Sequence, residues 1–288
     1  SWGSMEELNF DRYATPRSER NGLGDIAVVQ ELVDDFYMAD GLPIKQTSFL
    51  PKSPTYTETG FGMYDGIEVS NMYIGREPRF YNTVCFSGKR WHISNNEVQF
   101  YYGGNSDRQV EGCPRTGYLL YKRFNRTVHM NSPGVKSKFR PSIIFRLAEF
   151  YLLYAEALNE VDPSHSDILK YVNLVRERAG LPKLEDLNPA IKGNQQLQRE
   201  AIRRESRIEL ATEGQRYFDT RRWMIAENTP DKGGQGGDFT GMNLDGDKIK
   251  FHTRTKIHTR NFMRKNYFYP IPFVALQKSQ LLVQNPGW

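Results

Sequence analysis

The sequence predicts a mainly α-helical protein with irregular loops and a few short strands. Between positions 144 and 158, apolar residues recur at the i, i+3, i+4, i+7 spacing of an amphipathic helix. A second helical pattern follows a short break, at 168–176. Residues 45–66, by contrast, are rich in proline and glycine and show no periodicity, which is typical of loops. We therefore expect an αα-hairpin joined to a loop-rich region.

The first part of the chain, residues 1–141, is predicted to be loop-rich, with a short helix and short strands. Apolar residues at 26–39 are spaced for an amphipathic helix that ends at an Asp-Gly turn signal. Residues 45–66 form a long loop with several aromatic side chains, and long ordered loops are often functional. Weak alternation at 80–102 and an apolar run at 118–124 predict short strands or extended segments. This region is the candidate ligand platform.

Residues 142–288 are predicted to be the helical region. The first helix begins near Ser142 and stops before an Asp-Pro pair, and its partner begins at Ser166, a residue suited to a helix N-cap. Gly180 followed by Pro182 is a typical end for the second helix. Two helices with a tight break between them predict an antiparallel αα-hairpin, which is similar to one tetratricopeptide unit.

Beyond the hairpin, three further helices and one mobile segment are predicted. The helices are expected at about 196–212, 214–227 and 273–282. Residues 228–247 contain a proline and several glycines, which predict a flexible surface excursion. Residues 248–260 alternate and are strongly basic, which predicts the arm of a β-hairpin.

The charge distribution argues against nucleic acid as a partner. The net charge of +5 comes from 39 basic and 34 acidic residues, which are interleaved, notably at 199–223. A nucleic-acid-binding protein would be expected to collect its lysines and arginines on one face. We therefore predict a mixed, solvated surface with local ion pairs.

The cysteine content and the hydropathy exclude several classes of protein. Cys85 and Cys113 are the only cysteines, so the chain could form one disulfide or keep two thiols, and no Cys-x-x-Cys pair supports a zinc or thiol-redox site. The longest apolar run falls far short of the ~20 residues that a membrane helix needs. No signal peptide opens the chain, whose first residues read like the middle of a longer sequence.

The histidines offer no convincing metal site. His252 and His258 lie in the basic stretch that is predicted to be a strand, where alternation would place both on one face. No acidic or cysteine ligand lies close to them in the sequence. We therefore predict no metal site at these residues.

One pair of glutamates has the spacing of a catalytic pair but the wrong neighbours. Glu205 and Glu209 are four residues apart, which places both carboxylates on one helix face. Arginines within a turn of each glutamate would lower the carboxylate pKa, whereas a general acid needs a raised pKa. No nucleophile elbow, phosphate-binding loop, metalloprotease or dinucleotide motif accompanies the pair. We therefore predict a partly buried Arg–Glu network with a structural role.

Aromatic side chains on irregular segments are the clearest indication of function. A flat ring stacks on the apolar C–H face of a sugar while polar groups bind its hydroxyls, and Trp and Tyr provide both. Any single ring is more often part of the core than a ligand contact. Trp223 and Trp288, which lie outside these loops, are expected to be buried. The predicted ligand-binding residues are Tyr56, Tyr64, Trp91, Tyr101, Tyr102 and Asn105.

Several blocks, taken in order, resemble the SusD/RagB family of nutrient-binding outer-membrane lipoproteins of Bacteroidetes. The first is the apolar helix that follows Phe145, together with the partner helix that ends in Arg-Ala-Gly-Leu-Pro at 178–182. The second is the Arg–Glu-rich segment at 203–223. The third is Tyr-Pro-Ile-Pro at 269–272 with Gln-Asn-Pro-Gly-Trp at 284–288. The resemblance spans roughly residues 26–288, and the family's N-terminal portion has no counterpart in this chain.

The resemblance implies a SusD-like fold with tetratricopeptide-type helices that binds a glycan or oligosaccharide nutrient without cleaving it. It implies a position on the extracellular face of the outer membrane and a lipid anchor on an N-terminal segment absent from this chain. It also implies a TonB-dependent outer-membrane transporter as the partner that receives the nutrient. Family members can carry a structural calcium, for which the sequence shows no ligand cluster, and no other cofactor is implied.

Two functions from other classes stay open from the residues alone. The αα-hairpin could dock a partner protein, which would make the chain an adaptor. An Asp/Glu pair assembled only in three dimensions could make it a glycoside hydrolase, although nothing in the sequence indicates such a pair.

Overall fold

The computed structural model describes residues 10–108, 113–128 and 143–288. Helices predominate, and the strands are few and short, as predicted. Residues 10–14 are helical, and the further α-helices are α1 (Gln30–Asp35), α2 (Pro78–Thr83), α3 (Leu147–Val161), α4 (Asp167–Arg178), α5 (Leu184–Leu187), α6 (Gln195–Glu209), α7 (Gln215–Arg222) and α8 (Phe273–Lys278). Short 3-10 helices lie at Asn71–Tyr73, Pro189–Ile191, Pro230–Lys232, Lys250–His252 and Arg264–Tyr267.

The strands form antiparallel pairs. They are β1 (Phe61–Tyr64) with β2 (Ile67–Ser70), β3 (Val84–Cys85) with β4 (Leu119–Leu120), and β5 (Gly237–Met242) with β6 (Arg254–Arg260). The turn between β1 and β2 is Asp65-Gly66, with φ values of 50° and 74°. Both values are left-handed, as a two-residue hairpin turn requires, and Asp-Gly favours this turn. Part of the segment that was predicted to be a long irregular loop is therefore a β-hairpin.

The predicted αα-hairpin consists of α3 and α4, which pack against each other and against α6. Ala148, Leu152 and Ala155 on α3 are buried at helical spacing, and the two alanines allow a close approach of the neighbouring helices. On α4, Ile168 and Val172 are fully buried in the same core. The amphipathic pattern read from the sequence therefore identifies the faces that pack, while the tetratricopeptide character of the hairpin stays a prediction.

The ends of this hairpin follow local backbone preferences. Helix α3 begins at Leu147, later than the predicted start at Ser142, which lies outside the described residues. After α4, Gly180 adopts a φ of 79° and the amide of Leu181 donates a hydrogen bond to the carbonyl of Arg176. This left-handed helix end is one that glycine adopts without steric cost, and the predicted stop is confirmed.

The other predicted helices occur but are shorter. Gly214, with a φ of 98°, precedes the first residue of α7 and separates it from α6. Helix ends are the least certain part of a sequence prediction because the last turn lacks partners within the helix. The observed helices are 30–35 instead of 26–39, 195–209 instead of 196–212, 215–222 instead of 214–227, and 273–278 instead of 273–282.

Two segments differ in kind from the prediction. The segment at 80–102, predicted to be extended, begins with the end of α2, which starts at Pro78, because proline at the first turn of a helix is favourable. The predicted excursion at 228–247 contains β5, which pairs with β6. A Cβ atom on Gly241 would lie 2.7 Å from the carbonyl oxygen of Thr116, so this glycine permits close packing of the sheet.

The main core draws residues from both sides of position 142. Its centre is an aromatic cluster in which the Phe86 ring lies 4.5 Å from Tyr73 and 5.5 Å from Phe80, measured between ring centroids. Residues of α4 and α6 belong to the same core, among them Ile168 and Ala201. The division at 141/142 stays a prediction.

The cysteines and the two C-terminal tryptophans have distinct positions. Cys85 is buried in β3 and Cys113 is half-buried, and both are free thiols. Trp223 is buried as predicted, whereas Trp288 is 44% exposed, so its expected burial was wrong. The Trp288 indole instead donates hydrogen bonds to the carbonyls of Lys265 and Phe268 at the surface.

The outer side of α3 is apolar and open to solvent. Leu147, Phe150, Leu153 and Tyr154, which we call the exposed α3 face, have between 43% and 63% of their surface accessible. Contiguous apolar surface of this kind commonly marks an interaction site. Among the described residues, no helix combines the length and the apolar character that a membrane crossing requires.

Candidate functional site

The two glutamates with catalytic spacing are held by arginines from several elements. Nη1 of Arg79, at the start of α2, lies 2.5 Å from Glu205 Oε1 and 3.1 Å from Glu209 Oε2. Arg176 of α4 pairs with Glu205 at 3.3 Å, and Arg146 pairs with Glu209 at 2.6 Å. We call these five residues, with Glu77 beside Arg79, the Arg–Glu network. It joins α2, α4 and α6, as predicted for a structural role.

The electrostatics of the Arg–Glu network oppose acid catalysis. Burial by itself would raise the pKa of Glu209, but the hydrogen bond from Arg146 and the charges of Arg79 and Arg146 outweigh it and lower the pKa to about 2. A carboxyl with this pKa stays ionised at neutral pH and has no proton to donate. The pair therefore acts as an anchor for α6.

Three of the six predicted ligand-binding residues lie in the interior or against it. Trp91 is 2% exposed and packs edge-on against Tyr121 and Phe124. Tyr56 is also buried, and its hydroxyl donates a hydrogen bond to Glu58 at 2.9 Å. The expectation that Tyr56 and Trp91 present open ring faces is therefore corrected, because their rings are covered by protein.

Tyr64 is half-buried and has one ring face occupied. Its ring stacks on Tyr81 at a centroid distance of 4.8 Å and meets Phe86 edge-on at 5.7 Å. Burial raises the pKa of its phenol to about 12. These contacts connect β1 to the aromatic core and leave little of the ring for a ligand.

The other three predicted residues lie together on one surface loop. Tyr102 is 49% exposed, and its amide donates a hydrogen bond to the carbonyl of Gly246 at 2.9 Å. Tyr101 is half-buried beside it. The side chain of Asn105 accepts from the amide of Gln99 and donates to the carbonyl of Glu97, so it shapes the loop. The six residues thus do not form one platform, but Tyr101 and Tyr102 share a surface.

A lysine from a distant segment completes this surface. Lys248 Nζ lies 5.9 Å from the centre of the Phe61 ring on β1 and 2.9 Å from Glu68 Oε2 on β2. The hydrogen bond to Glu68 raises the pKa of Lys248, and the charge of Glu97 acts in the same direction. We call Phe61, Tyr101, Tyr102 and Lys248 the loop platform.

The loop platform has the features of a shallow polar and aromatic binding surface. The Tyr102 ring is 49% exposed, Phe61 and Tyr101 are half-buried beside it, and Lys248 and Glu68 offer a donor and acceptors at the rim. Phe61 lies in the aromatic-rich segment at 45–66 but is not among the predicted ligand-binding residues, and neither is Lys248. In the sequence, Lys248 is marked only by its position after a glycine-rich segment. That position does not indicate which residues Lys248 contacts.

The structure offers no fit for a metal ion among the described residues. No group of three or more His, Cys, Asp or Glu side chains in the described ranges could hold one. His252 is not in β6 with His258, because it ends a 3-10 helix and contacts Phe61 and Tyr73. Burial and Lys248 lower the pKa of His252 to about 4. The structural calcium implied by the family resemblance therefore finds no carboxylate cluster here.

Comparison with known proteins identifies relatives of one kind. A model of the SusD family matches residues 1–288. SusD-like protein P2 of Formosa agariphila is 32% identical over 149 residues, which are 51% of this chain and 26% of that protein. A solved SusD-like protein from Bacteroides fragilis NCTC 9343 is 32% identical and superimposes with a TM-score of 0.70 over 93% of this chain and 48% of its own.

A second solved protein of Bacteroides fragilis NCTC 9343, described as a SusD-like carbohydrate-binding protein, shares the fold. It is 24% identical, with a TM-score of 0.61 over 87% of this chain and 46% of its own. The present chain thus spans about half the length of these two solved relatives. The match along residues 1–288 shows that the chain belongs to the SusD family.

Proposed function

We propose that this SusD-family chain binds a glycan or oligosaccharide at the cell surface without cleaving it. The observation that carries the proposal is the loop platform, where two neighbouring tyrosines, Phe61 and Lys248 lie at one surface. Stacking of a ring on the C–H face of a sugar removes apolar surface of both partners from water. The charged groups at the rim then bind hydroxyls and set the orientation of the sugar.

The location and the partner are finer parts of the same proposal. Family membership supports a position on the extracellular face of the outer membrane, with a lipid anchor in the full-length protein. It also supports a TonB-dependent outer-membrane transporter as the partner that receives the oligosaccharide. The protein would act as a passive receptor, because Glu209, one of the two glutamates with catalytic spacing, is held ionised by arginines.

Replacement of Tyr102 by alanine is expected to weaken oligosaccharide binding by about tenfold, because one stacked ring contributes on the order of 1 kcal/mol or more. Isothermal titration calorimetry against a panel of neutral and acidic oligosaccharides measures the change. The control is Tyr154→Ala on the exposed α3 face, where a tyrosine of similar exposure (44% against 49%) lies outside the loop platform. Equal affinity of Tyr102→Ala and wild type for every bound sugar would remove the loop platform from the proposal.

A protein adaptor is the second candidate function, and the exposed α3 face favours it. The double substitution Phe150→Ser and Leu153→Ser is expected to abolish capture of a partner from outer-membrane extracts while leaving sugar affinity unchanged. The reason is that a contact of this kind depends on buried apolar area. Affinity capture with identification of the transporter by mass spectrometry provides the measurement. Capture that is insensitive to the double substitution argues against this face.

Release of products from a labelled oligosaccharide would instead establish that the chain is a glycoside hydrolase.

A further inference from the structure

A cavity of about 340 Å³ opens between α1, α6, α7 and the β5–β6 sheet, away from the residues of the loop platform. Its volume lies at the lower end of the ~300–1,000 Å³ of ligand pockets, so it suits a single sugar residue better than a long chain. Apolar side chains, among them Leu210 and Phe239, supply part of the lining. Three arginines also line it, namely Arg207, Arg216 and Arg260, and we call it the arginine cavity.

The positive charge of the arginine cavity is only partly balanced. Arg207 pairs with Asp35 at 2.5 Å, outside the lining. The carboxylate in the lining, Asp219, pairs with Arg222 at 3.0 Å. Among the described residues, no carboxylate forms an ion pair with Arg216 or with Arg260. Neither guanidinium group is therefore in direct contact with a carboxylate of the described residues, although Asp35 and Asp219 lie close enough to act on the charge of Arg216.

The contacts of these two arginines leave donors for a ligand. Arg216 donates through Nη2 to the carbonyl of Gly233, which is a neutral acceptor. The guanidinium carbon of Arg260 lies 4.4 Å from the centre of the Phe239 ring, a contact that places the charge beside an apolar surface. A guanidinium has five N–H donors, so each of these groups can still bind an oxyanion with two parallel hydrogen bonds.

The surroundings of Arg216 make an anion favourable at this point. Burial, followed by the like charge of Arg207, lowers the pKa of Arg216 to about 9. The charges of Asp35 and Asp219 act in the opposite direction but do not outweigh burial, so a bound anion would offset the remaining desolvation cost. Gly214, the N-cap of α7, has no side chain to cap the first N–H groups of that helix, which adds a favourable dipole for negative charge.

One further polar atom in the cavity lacks a partner. Oε1 of Gln215 is buried and accepts no hydrogen bond in the structure. A buried acceptor of this kind is costly unless a donor reaches it. A sugar hydroxyl would supply that donor, so the lining fits a molecule that is anionic at one point and hydroxylated elsewhere.

We propose that the arginine cavity binds one acidic sugar residue, through its carboxylate or sulfate group, with Arg216 and Arg260 as the anion-binding side chains. The proposal rests on the proposed function in taking a saccharide as the ligand, and it assigns an acidic class of glycan to this protein. In this arrangement the two guanidinium groups bind the acidic group of the sugar, and the side chain of Gln215 binds one of its hydroxyls.

Paired polymers that differ only in charge test the proposal. Affinity electrophoresis and calorimetry compare polygalacturonate with its methyl-esterified form, and dextran sulfate with dextran. Wild-type protein is expected to bind at least one acidic polymer at least about tenfold more tightly than its neutral partner, since each charge-assisted hydrogen bond adds appreciably to affinity. Inorganic sulfate and acetate, added as competitors, separate recognition of a sugar from recognition of a free anion.

Substitutions of matched charge locate the site. Arg216→Gln and Arg260→Gln are each expected to weaken binding of the acidic polymer by about tenfold, whereas Lys256→Gln, which also removes one positive charge from β6, is expected to leave it near wild type. Arg260 is exposed, so its variant does not depend on the fold tolerating a change near Gly233. Equal losses in all three variants would indicate a non-specific charge effect and overturn the proposal, as would wild-type affinity in both arginine variants.

The same series distinguishes this inference from the proposed function. Loss of binding in Tyr102→Ala with no loss in either arginine variant would overturn the arginine cavity and leave the loop platform in place. Loss of binding in the arginine variants with no loss in Tyr102→Ala would overturn the loop platform and leave the arginine cavity in place. Failure of both acidic polymers to bind, or equally effective competition by free sulfate or acetate at the same anion concentration, would overturn the acidic-sugar assignment.

Discussion

Replacing Arg79 by methionine is expected to lower the free energy of unfolding by about 3–5 kcal/mol. The Arg79 guanidinium contacts Glu77, Glu205 and Glu209, and all three carboxylates are buried. Without it, negative charges remain in the interior with fewer partners, and the desolvation cost of each is no longer offset. Urea unfolding followed by circular dichroism measures the change.

The matched control is Arg199→Met, which removes an arginine that pairs with Glu160 at the surface. Exposed pairs contribute about 0–1 kcal/mol, so a small loss is expected there. If Arg79→Met does not fold, Arg79→Lys supplies a second measurement, because one ammonium cannot hold three carboxylates in the same geometry. Equal losses for Arg79→Met and Arg199→Met would contradict the structural role of the Arg–Glu network.

The penalty of Arg79→Met is also expected to depend on pH. The folded pKa of Glu209 is about 2, below the ~4.3 of an unfolded chain. Its stabilising effect is therefore present above the unfolded pKa and is lost as pH falls through the folded value. Burial raises the pKa of Glu77 despite Arg79, so loss of Arg79 favours its protonation further. The difference between variant and wild type is expected to be largest near pH 7 and to shrink as pH is lowered below about 5.

Replacing Phe86 by alanine is expected to lower the free energy of unfolding by about 3–5 kcal/mol, as for other buried phenylalanines. The Phe86 ring has no exposed surface and contacts Tyr64, Tyr73, Phe80 and Tyr81. Its removal leaves a cavity among rings that belong to different elements and cannot all move inward. The midpoint of urea unfolding measures the effect.

The control for this prediction is Phe218→Ala on α7, since the Phe218 side chain is 69% exposed. A change within about 0.5 kcal/mol is expected there, because exposed side chains away from special features contribute little to stability. A Phe86→Leu variant should lose less than Phe86→Ala, because it leaves a smaller cavity. If the alanine variants at positions 86 and 218 unfold at the same urea concentration, the aromatic cluster is not the centre of the core.

The features that were predicted correctly depend on residues close together in the chain. The αα-hairpin follows from an apolar stripe within each helix, and the stop at Gly180 follows from one left-handed residue. The Arg–Glu network was predicted in kind because arginines surround Glu205 and Glu209 in the sequence. Arg79, which pairs with Glu205 from another helix, was not predicted, because it lies far from the two glutamates in the sequence.

The candidate site was predicted only in part because exposure is a property of the packed molecule. Tyr56, Trp91 and Tyr102 were all selected as rings on irregular segments, yet the first two rings are covered and the third is open. Burial of a ring depends on which distant segment packs against it, and sequence spacing carries no information about that. Tyr101 and Tyr102 were selected for the same reason as the covered rings, and only packing separates the two groups.

The sequence by itself determined the helical class, the hairpin, the ends of the helices set by glycine and the family resemblance, because these reside in local spacing and local backbone preference. The tertiary structure alone decided the pairing of β5 with β6, the position of Lys248 beside Glu68, which is 180 residues away, and the grouping of Arg207, Arg216 and Arg260 around one cavity. Such contacts join segments far apart in the chain. They form only when burial of the common core outweighs the entropy of closing the loops between them.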